Sequence, residues 1–397
     1  MDKMTLKNVD IEGKTVLMRV DFNVPIEDGK IGDDNRIVQA LPSIEFVIEN
    51  GGKLVLMSHL GRPGGSVDPS LSLRPVSEHL QTLVDTDVYF AEDCIGEQAT
   101  SVIEQAEQGE IVLLENVRFH EGEKANDEAF CKQLAAHGDL FCNDAFGSSH
   151  RAHSSVAGVT RFLQPAVSGF LLEKEIKYLN DSVNNPRRPF VAILGGAKVS
   201  DKIGVIENLL GKVDTIIVGG GMTYTFYKAK GWSIGDSLVE DEKVELASEL
   251  MEKAAEQGIK FMLPVDSVVA KEFKNDAEHK VVDEEGIEDG WMGLDIGPQS
   301  SIAFGNIIKN AQTVVWNGPM GVFEMKNFAD GTNAVARALA EATERGATTI
   351  IGGGDSAAAV KQAGLEEKVS HVSTGGGASL MFLEGEELPG VVSLTDR

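Results

Sequence analysis

The sequence predicts an α/β protein built from two mainly parallel sheets, and three observations carry that expectation. Short apolar runs of strand length recur along the chain, each followed by polar or glycine residues and then by helical patterning. The 397 residues exceed what one hydrophobic core ordinarily organises, so two domains, or at most three, are expected. The runs of the first half end on arginine, asparagine and histidine, whereas those of the second half end on glycine.

Composition narrows the function classes. Hydrophobic residues make up 42% and charged residues 25%, as in ordinary globular chains. The formal net charge of −26 repels polyanions, which argues against nucleic acid or an anionic membrane as partner. A small anion could be held only by local arginines and helix N-termini. No apolar run approaches the roughly 18 residues of a membrane span, and MDKMTLKNVD carries no apolar signal core, so a cytoplasmic protein is expected. Cys94, Cys131 and Cys142 form no CxxC pair, and buried reduced thiols are expected.

In the first half the apolar runs lie at 15–20, 53–57, 88–90, 111–114 and 140–142. Open parallel sheets bind ligands at the carboxyl ends of their strands, so the segments that follow these runs should converge. They supply Asp21 and Asn23, His59 and Arg62, Arg118, and Arg151 beyond the fifth run, while Arg36 precedes a predicted helix. Arginine offers a rigid fork of donors that matches phosphate and carboxylate oxygens in pairs, so Arg36, Arg62, Arg118 and Arg151 suit a small phosphorylated acid. Asp21 could orient an arginine, contact a substrate hydroxyl or cap a turn. His79, His120 and His137 are expected to have structural roles, and no His/Cys/carboxylate spacing resembles a zinc site.

A helical pattern with Leu171, Leu172, Ile176 and Leu179 on one face leads to the polar break DSVNNPRRP at 181–189, a candidate hinge between domains. Beyond it, FVAIL at 190–194 stops at Gly195-Gly196, and Lys198 and Lys202 are expected to share one face of the helix start that follows. Further runs at 215–218, 260–265, 313–316, 348–351 and 371–374 precede Gly219–Gly221, Asp266, Asn317–Gly321, Gly352–Ser356 and Gly375–Gly377. Turns without bulky side chains admit a polyphosphate close to backbone amides, with helix N-termini behind them. Asp355 is the metal candidate and could equally cap its helix. Glu324 could accept hydrogen bonds from a ribose or cap a helix. The helix at about 240–257 receives no function, 283–289 reads as a solvated acidic loop, and the apolar segment 388–392 should pack on one of the domains.

Taken together, RVDFNVP at 19–25, SHLGRP at 58–63, LLENVRFH at 113–120, FGSSHRAHSS at 146–155, GGAKVSDKI at 195–203, GGGM at 219–222, WNGPMGVFE at 316–324, GGGDS at 352–356 and STGGG at 373–377 resemble the phosphoglycerate kinase family over nearly the whole chain. The resemblance implies two Rossmann-like lobes, each a mainly parallel sheet flanked by helices, joined by a hinge helix. The expected limits are 1–172 for an acid-binding lobe, 173–188 for the hinge and 189–382 for a nucleotide-binding lobe, with a tail at 383–397 returning to the first. It implies reversible phosphoryl transfer between ATP and 3-phosphoglycerate, with Mg²⁺ on Asp355, in a monomer. By the same resemblance Asp21, Phe22, Asn23, Arg36, His59, Leu60, Gly61, Arg62, Arg118 and Arg151 take the acid. Lys198, Lys202, Gly219, Gly220, Asn317, Glu324, Gly353, Gly354, Asp355 and Ser356 take the nucleotide. Arg36, Lys198, Lys202 and Gly354 are the expected catalytic groups.

A carboxylate acceptor is already ionised near neutral pH, so no general base is required, and none is obvious. The GxGxxG fingerprint of nicotinamide dehydrogenases and the GxxxxGK[ST] loop of P-loop kinases are both missing from the glycine turns. A two-lobed solute-binding protein would share the hinge and the arginines but would have no use for a lysine-flanked glycine site.

Overall fold

A computed structural model describes residues 2–397. The chain forms two compact units, one running to Ile176 and completed by Glu387–Arg397, the other spanning Lys177–Glu386. The division falls inside helix Phe170–Asn184, ahead of the 181–189 break.

The first unit contains a six-stranded sheet in the order Val88–Ala91, Ile111–Leu114, Lys53–Met57, Thr15–Arg19, Leu140–Asn143, Ala166–Ser168. Every pairing is parallel. The four central strands are apolar almost throughout, as a sheet covered on both faces requires. Helix Asn35–Glu49 lays Ile37, Ala40, Ile44 and Val47 against this core. The Ala166–Ser168 edge strand was not legible in the sequence, since three small residues give no apolar run.

The C-terminal segment completes this unit. Thr395 N donates to Ala166 O at 2.8 Å and Gly390 N to Ser149 O at 2.9 Å, while Asn143 Nδ2 donates to Gly390 O at 2.8 Å. Gly390 has to be glycine here, because a Cβ would lie 2.6 Å from Val156 Cγ1 and 2.9 Å from Ser149 Cα.

The second unit has its own six-stranded parallel sheet, ordered Lys260–Met262, Thr215–Val218, Phe190–Leu194, Thr313–Asn317, Thr348–Gly352, His371–Val372. Two expectations are corrected. The run at 260–265 is not one strand: Pro264, which has no N–H to give a ladder, ends it, and Asp266–Ala270 begins a separate antiparallel sheet with His279–Asp283 and Met292–Ile296. The acidic stretch 283–289 is correspondingly not all loop, for Asp283 closes a strand and Ile287 is fully buried.

Candidate active site

In the first unit the segments beyond the carboxyl ends of four adjacent strands gather charge around one imidazole. His59 follows Lys53–Met57 and is buried, and its pKa lies well below the usual value, first because of burial and then because Arg19, Arg118, Arg151 and Arg36 all press positive charge on it. Arg36, Arg118 and Arg151, three of the expected site arginines, thus act on one imidazole. Arg36 Nη1 donates to Asp21 Oδ1 and to Asn23 O, both at 3.2 Å, so Asp21 orients an arginine. Asn23 Oδ1 accepts from Gly61 N at 2.8 Å, and Arg118 Nη1 donates to Gly61 O at 2.7 Å. Gly61 sits at φ +61°, and a Cβ would meet Leu71 at 2.7 Å, so glycine is needed to hold this corner. Arg118 is 5% exposed, its Nε has no partner, and burial and its arginine neighbours push its pKa down to about 10. A buried cation with an unused donor is a socket for an anion.

Arg151 donates from Nε to His150 Nε2 at 3.0 Å, and Arg62 is the exposed member of the set. The side chains of Phe22 and Leu60 belong to the hydrophobic core, with Phe22 N already donating to Ser58 Oγ at 2.8 Å. Neither offers its side chain to a ligand.

The residue that sequence reasoning missed is Glu123, fully buried on helix Glu121–Ala125. It accepts from Ser155 N at 2.9 Å and Ser155 Oγ at 2.6 Å, and its Oε1 lies 3.7 Å from His153 Nδ1. Ser155 Oγ in turn accepts from Nε of the fully buried Arg19 at 2.7 Å. Nothing in an exposed-looking EGEKA segment marks Glu123 as the counter-charge of a buried arginine.

These histidines give a pH prediction with a definite sign. Burial and nearby arginines push His153 down to about 4 and His59 well below its usual value. Unfolded histidine takes up a proton near pH 6.5 while these two stay neutral, so protons favour the unfolded chain as pH falls from about 6.5 toward 4. Buried Asp144 and Asp295, pushed up to about 7 and about 8, act in the opposite direction over this range, so the histidine part is read by difference: His153→Asn should raise Tm at pH 5 relative to its Tm at pH 7 compared with wild type, and an identical pH dependence in the variant would refute the assignment.

In the second unit, glycine turns wall two adjoining cavities. One, of about 410 Å³, is lined by Gly195–Lys198, Asp201, Lys202, Asn317–Pro319, Gly353–Ser356, Gly376, Gly377 and Leu380. Helices Gly354–Gln362 and Gly376–Leu383 both begin at it, so two sets of free amides face the same space. Gly353 lies at φ +90°, and nothing stands within 4 Å of a Cβ built on Gly354. Lys202, 8% exposed, donates from Nζ to Asn317 Oδ1, and Asn317 Nδ2 is buried without a partner. Burial lowers the lysine pKa, with Asp201, Glu384 and Asp355 opposing. Ser356 Oγ accepts from Gly318 N at 2.6 Å and braces the turn that carries Asn317.

The expectation that Lys198 and Lys202 share a helix face is corrected. The turn Val199–Lys202 intervenes, closed by Lys202 N to Val199 O at 2.8 Å, and the helix begins only at Ile203 with Lys202 as its N-cap. Both lysines reach the cavity from a loop. Asp355 is not an N-cap either: Gly353 holds that position and Asp355 sits exposed in the first turn. Glu324 caps no helix, since Met325 is the N-cap of the following turn.

The second cavity, of about 680 Å³, shares Asp355 with the first and adds Gly220, Tyr224, Asp236, Leu238, Phe273, Met292, Leu294, Val322 and Glu324. Gly220 lines it at φ +70°, but Gly219 is packed one layer back, where a Cβ would lie 2.4 Å from Met320 Sδ. Phe273 and Leu238 are 63% and 50% exposed, an apolar wall that no motif indicated. Gly376 and Gly377, from the triplet that the sequence singled out after the 371–374 run, line the first cavity.

Clustered guanidinium groups on one parallel α/β unit and a lysine-bearing, glycine-walled anion cavity on another define a phosphotransferase. A family model described as Phosphoglycerate kinase matches residues 6–386. The chain belongs to the phosphoglycerate kinase family. Among its relatives, the phosphoglycerate kinase of Chloroherpeton thalassium is 56% identical over 100% of both chains, and that of Clostridium tetani is 53% identical over 100% of this chain and 98% of the other. The solved structure of phosphoglycerate kinase from Coxiella burnetii superposes with a TM-score of 0.89 at 42% identity, covering 98% of each chain.

Proposed function

We propose that this chain moves a phosphoryl group reversibly between ATP and 3-phosphoglycerate, the second unit taking the nucleotide and the first the acid. The observation that carries the reading is the unpartnered Nδ2 of Asn317, whose Oδ1 holds the buried Lys202 ammonium, at a cavity onto which two helix N-termini open. A phosphate chain would use the Nδ2 donor, the ammonium and the helix N-termini together. The adjoining apolar cavity, with Glu324 at its wall, suits the base and ribose.

Arg118 and Arg151 grip the acid's phosphate together with Arg62, while Asp21, Asn23 and His59 set its carbon chain. Charge spreads over the equatorial phosphoryl oxygens during transfer, so Arg36, Lys198, Lys202 and the amides at Gly353 and Gly354 stabilise that charge. No residue has to remove a proton, because the attacking group is a carboxylate. The exposed carboxylate of Asp355, in the first turn of a helix and bordering both cavities, fits Mg²⁺, which takes few protein ligands beside phosphate and water. When bound there with the nucleotide, Mg²⁺ neutralises phosphate charge. In-line transfer demands that the two ligands meet, and helix Phe170–Asn184, which carries the unit boundary, is the proposed hinge. Among the described residues no helix is long and apolar enough to cross a membrane, and the protein is proposed to act as a cytoplasmic monomer.

A coupled assay tests this directly: ADP must form from Mg-ATP only when 3-phosphoglycerate is present. Within that assay Arg36→Ala should lower kcat by about 10²- to 10³-fold. Arg62→Ala should instead raise KM for the acid by about tenfold or more with kcat little changed. ADP formation independent of the acid would remove the assignment.

A further inference from the structure

We propose that Asp93, Cys94 and His120 form a Zn²⁺ site in the first unit, separate from the substrate residues. One ligand atom from each lies within 4.8 Å of the other two. The sheet makes the meeting: strands Val88–Ala91 and Ile111–Leu114 are parallel neighbours, so the loop after the first and the turn Val117–Phe119 beyond the second end side by side.

His120 Nε2 already lies 2.7 Å from Asp93 Oδ1, and its ring is held against Phe130 with centroids 5.3 Å apart. Tetrahedral zinc places its ligand atoms roughly 3.5 Å from each other, so the 2.7 Å contact between His120 Nε2 and Asp93 Oδ1 has to open to admit the ion. The side chains of Asp93 and His120 are 35% and 30% exposed, which leaves an entry path and room for water as fourth ligand. Burial, together with the charges of Asp93, Glu123 and Glu115, holds the Cys94 thiol protonated. The same negative potential favours a dication, which displaces that proton to solvent. Thiolate, imidazole and carboxylate make a borderline-soft set that selects Zn²⁺ over Mg²⁺. Once bound, the ion staples the turn that carries Arg118 to the neighbouring loop.

The test is a Co²⁺ titration of the full chain after chelator treatment. Thiolate coordination gives a near-ultraviolet charge-transfer band, which Mg²⁺-type binding at Asp355 cannot produce. The band should saturate at one Co²⁺ per chain, be displaced by Zn²⁺, persist in Cys131→Ser and vanish in Cys94→Ser. Zn²⁺ at a hundredfold excess over Kd should raise the Tm of the first unit by roughly 5–10 °C. His120→Asn should weaken Co²⁺ binding at least tenfold and decides the matter if Cys94→Ser does not fold. No band in the wild-type chain, a band surviving in folded Cys94→Ser, or unchanged affinity in His120→Asn would overturn the site.

Discussion

Replacing Lys202 with alanine is expected to lower kcat by about a thousandfold while leaving the chain folded. A single preorganised donor aimed at developing charge in a water-poor site is worth about 10²- to 10³-fold, and a full positive charge belongs at the upper end. Lys202 meets that description, being 8% exposed and tied to Asn317 Oδ1 at the edge of the anion cavity. Asp201, Glu384 and Asp355 favour its charged form against the effect of burial. Stability should change little: leaving Asn317 Oδ1 unpaired costs about 1–2 kcal/mol, and removing a desolvated ammonium offsets part of it. Lys202→Arg should not restore the rate, because a planar fork does not replace a compact ammonium in this space. Steady-state kinetics with a Tm measurement decide it, and a kcat within tenfold of wild type would take Lys202 out of the chemistry.

The second large effect concerns stability. Glu123→Gln should destabilise the first unit by about 3–5 kcal/mol, the usual cost of removing one member of a buried charge pair. Glutamine keeps the shape but offers one acceptor oxygen where Glu123 offers two to Ser155 N and Ser155 Oγ, so the loss combines the charge with one hydrogen bond. Arg19 is fully buried, burial lowers its pKa, and Glu123 is the foremost charge opposing that shift, ahead of Asp21. With Glu123 neutral, the guanidinium keeps only Asp21 as counter-charge while Arg151 repels it. Hydrogen exchange resolved to the strand Thr15–Arg19 is the suitable probe, since two compact units need not unfold together. A loss below about 1 kcal/mol would mean that the Arg19 charge is balanced without Glu123.

The two variants mark the limit of sequence reading. Strands Lys53–Met57, Ile111–Leu114, Phe190–Leu194 and Thr215–Val218 were legible to the residue, because a strand buried on both faces writes itself as an unbroken apolar run between turn residues. His279–Asp283 alternates exposed and half-buried positions and leaves no such run, so the antiparallel sheet went unread. Lys198 and Lys202 were rightly placed at an anion cavity but wrongly put on one helix face, since periodicity cannot show that a further turn separates the strand from its helix.

Sequence alone therefore determined the α/β class, most strands, and the kinds of group at each strand end: arginines in one half, glycines and lysines in the other. Only the tertiary structure decided which groups act on each other. Lys202 with Asn317, Glu123 with Arg19, and Asp93 and Cys94 with His120 are distant in the chain and adjacent in space. The reason is that a parallel sheet sets the ends of non-consecutive strands beside one another, and strand order is a property of the packed sheet that no local run of residues contains.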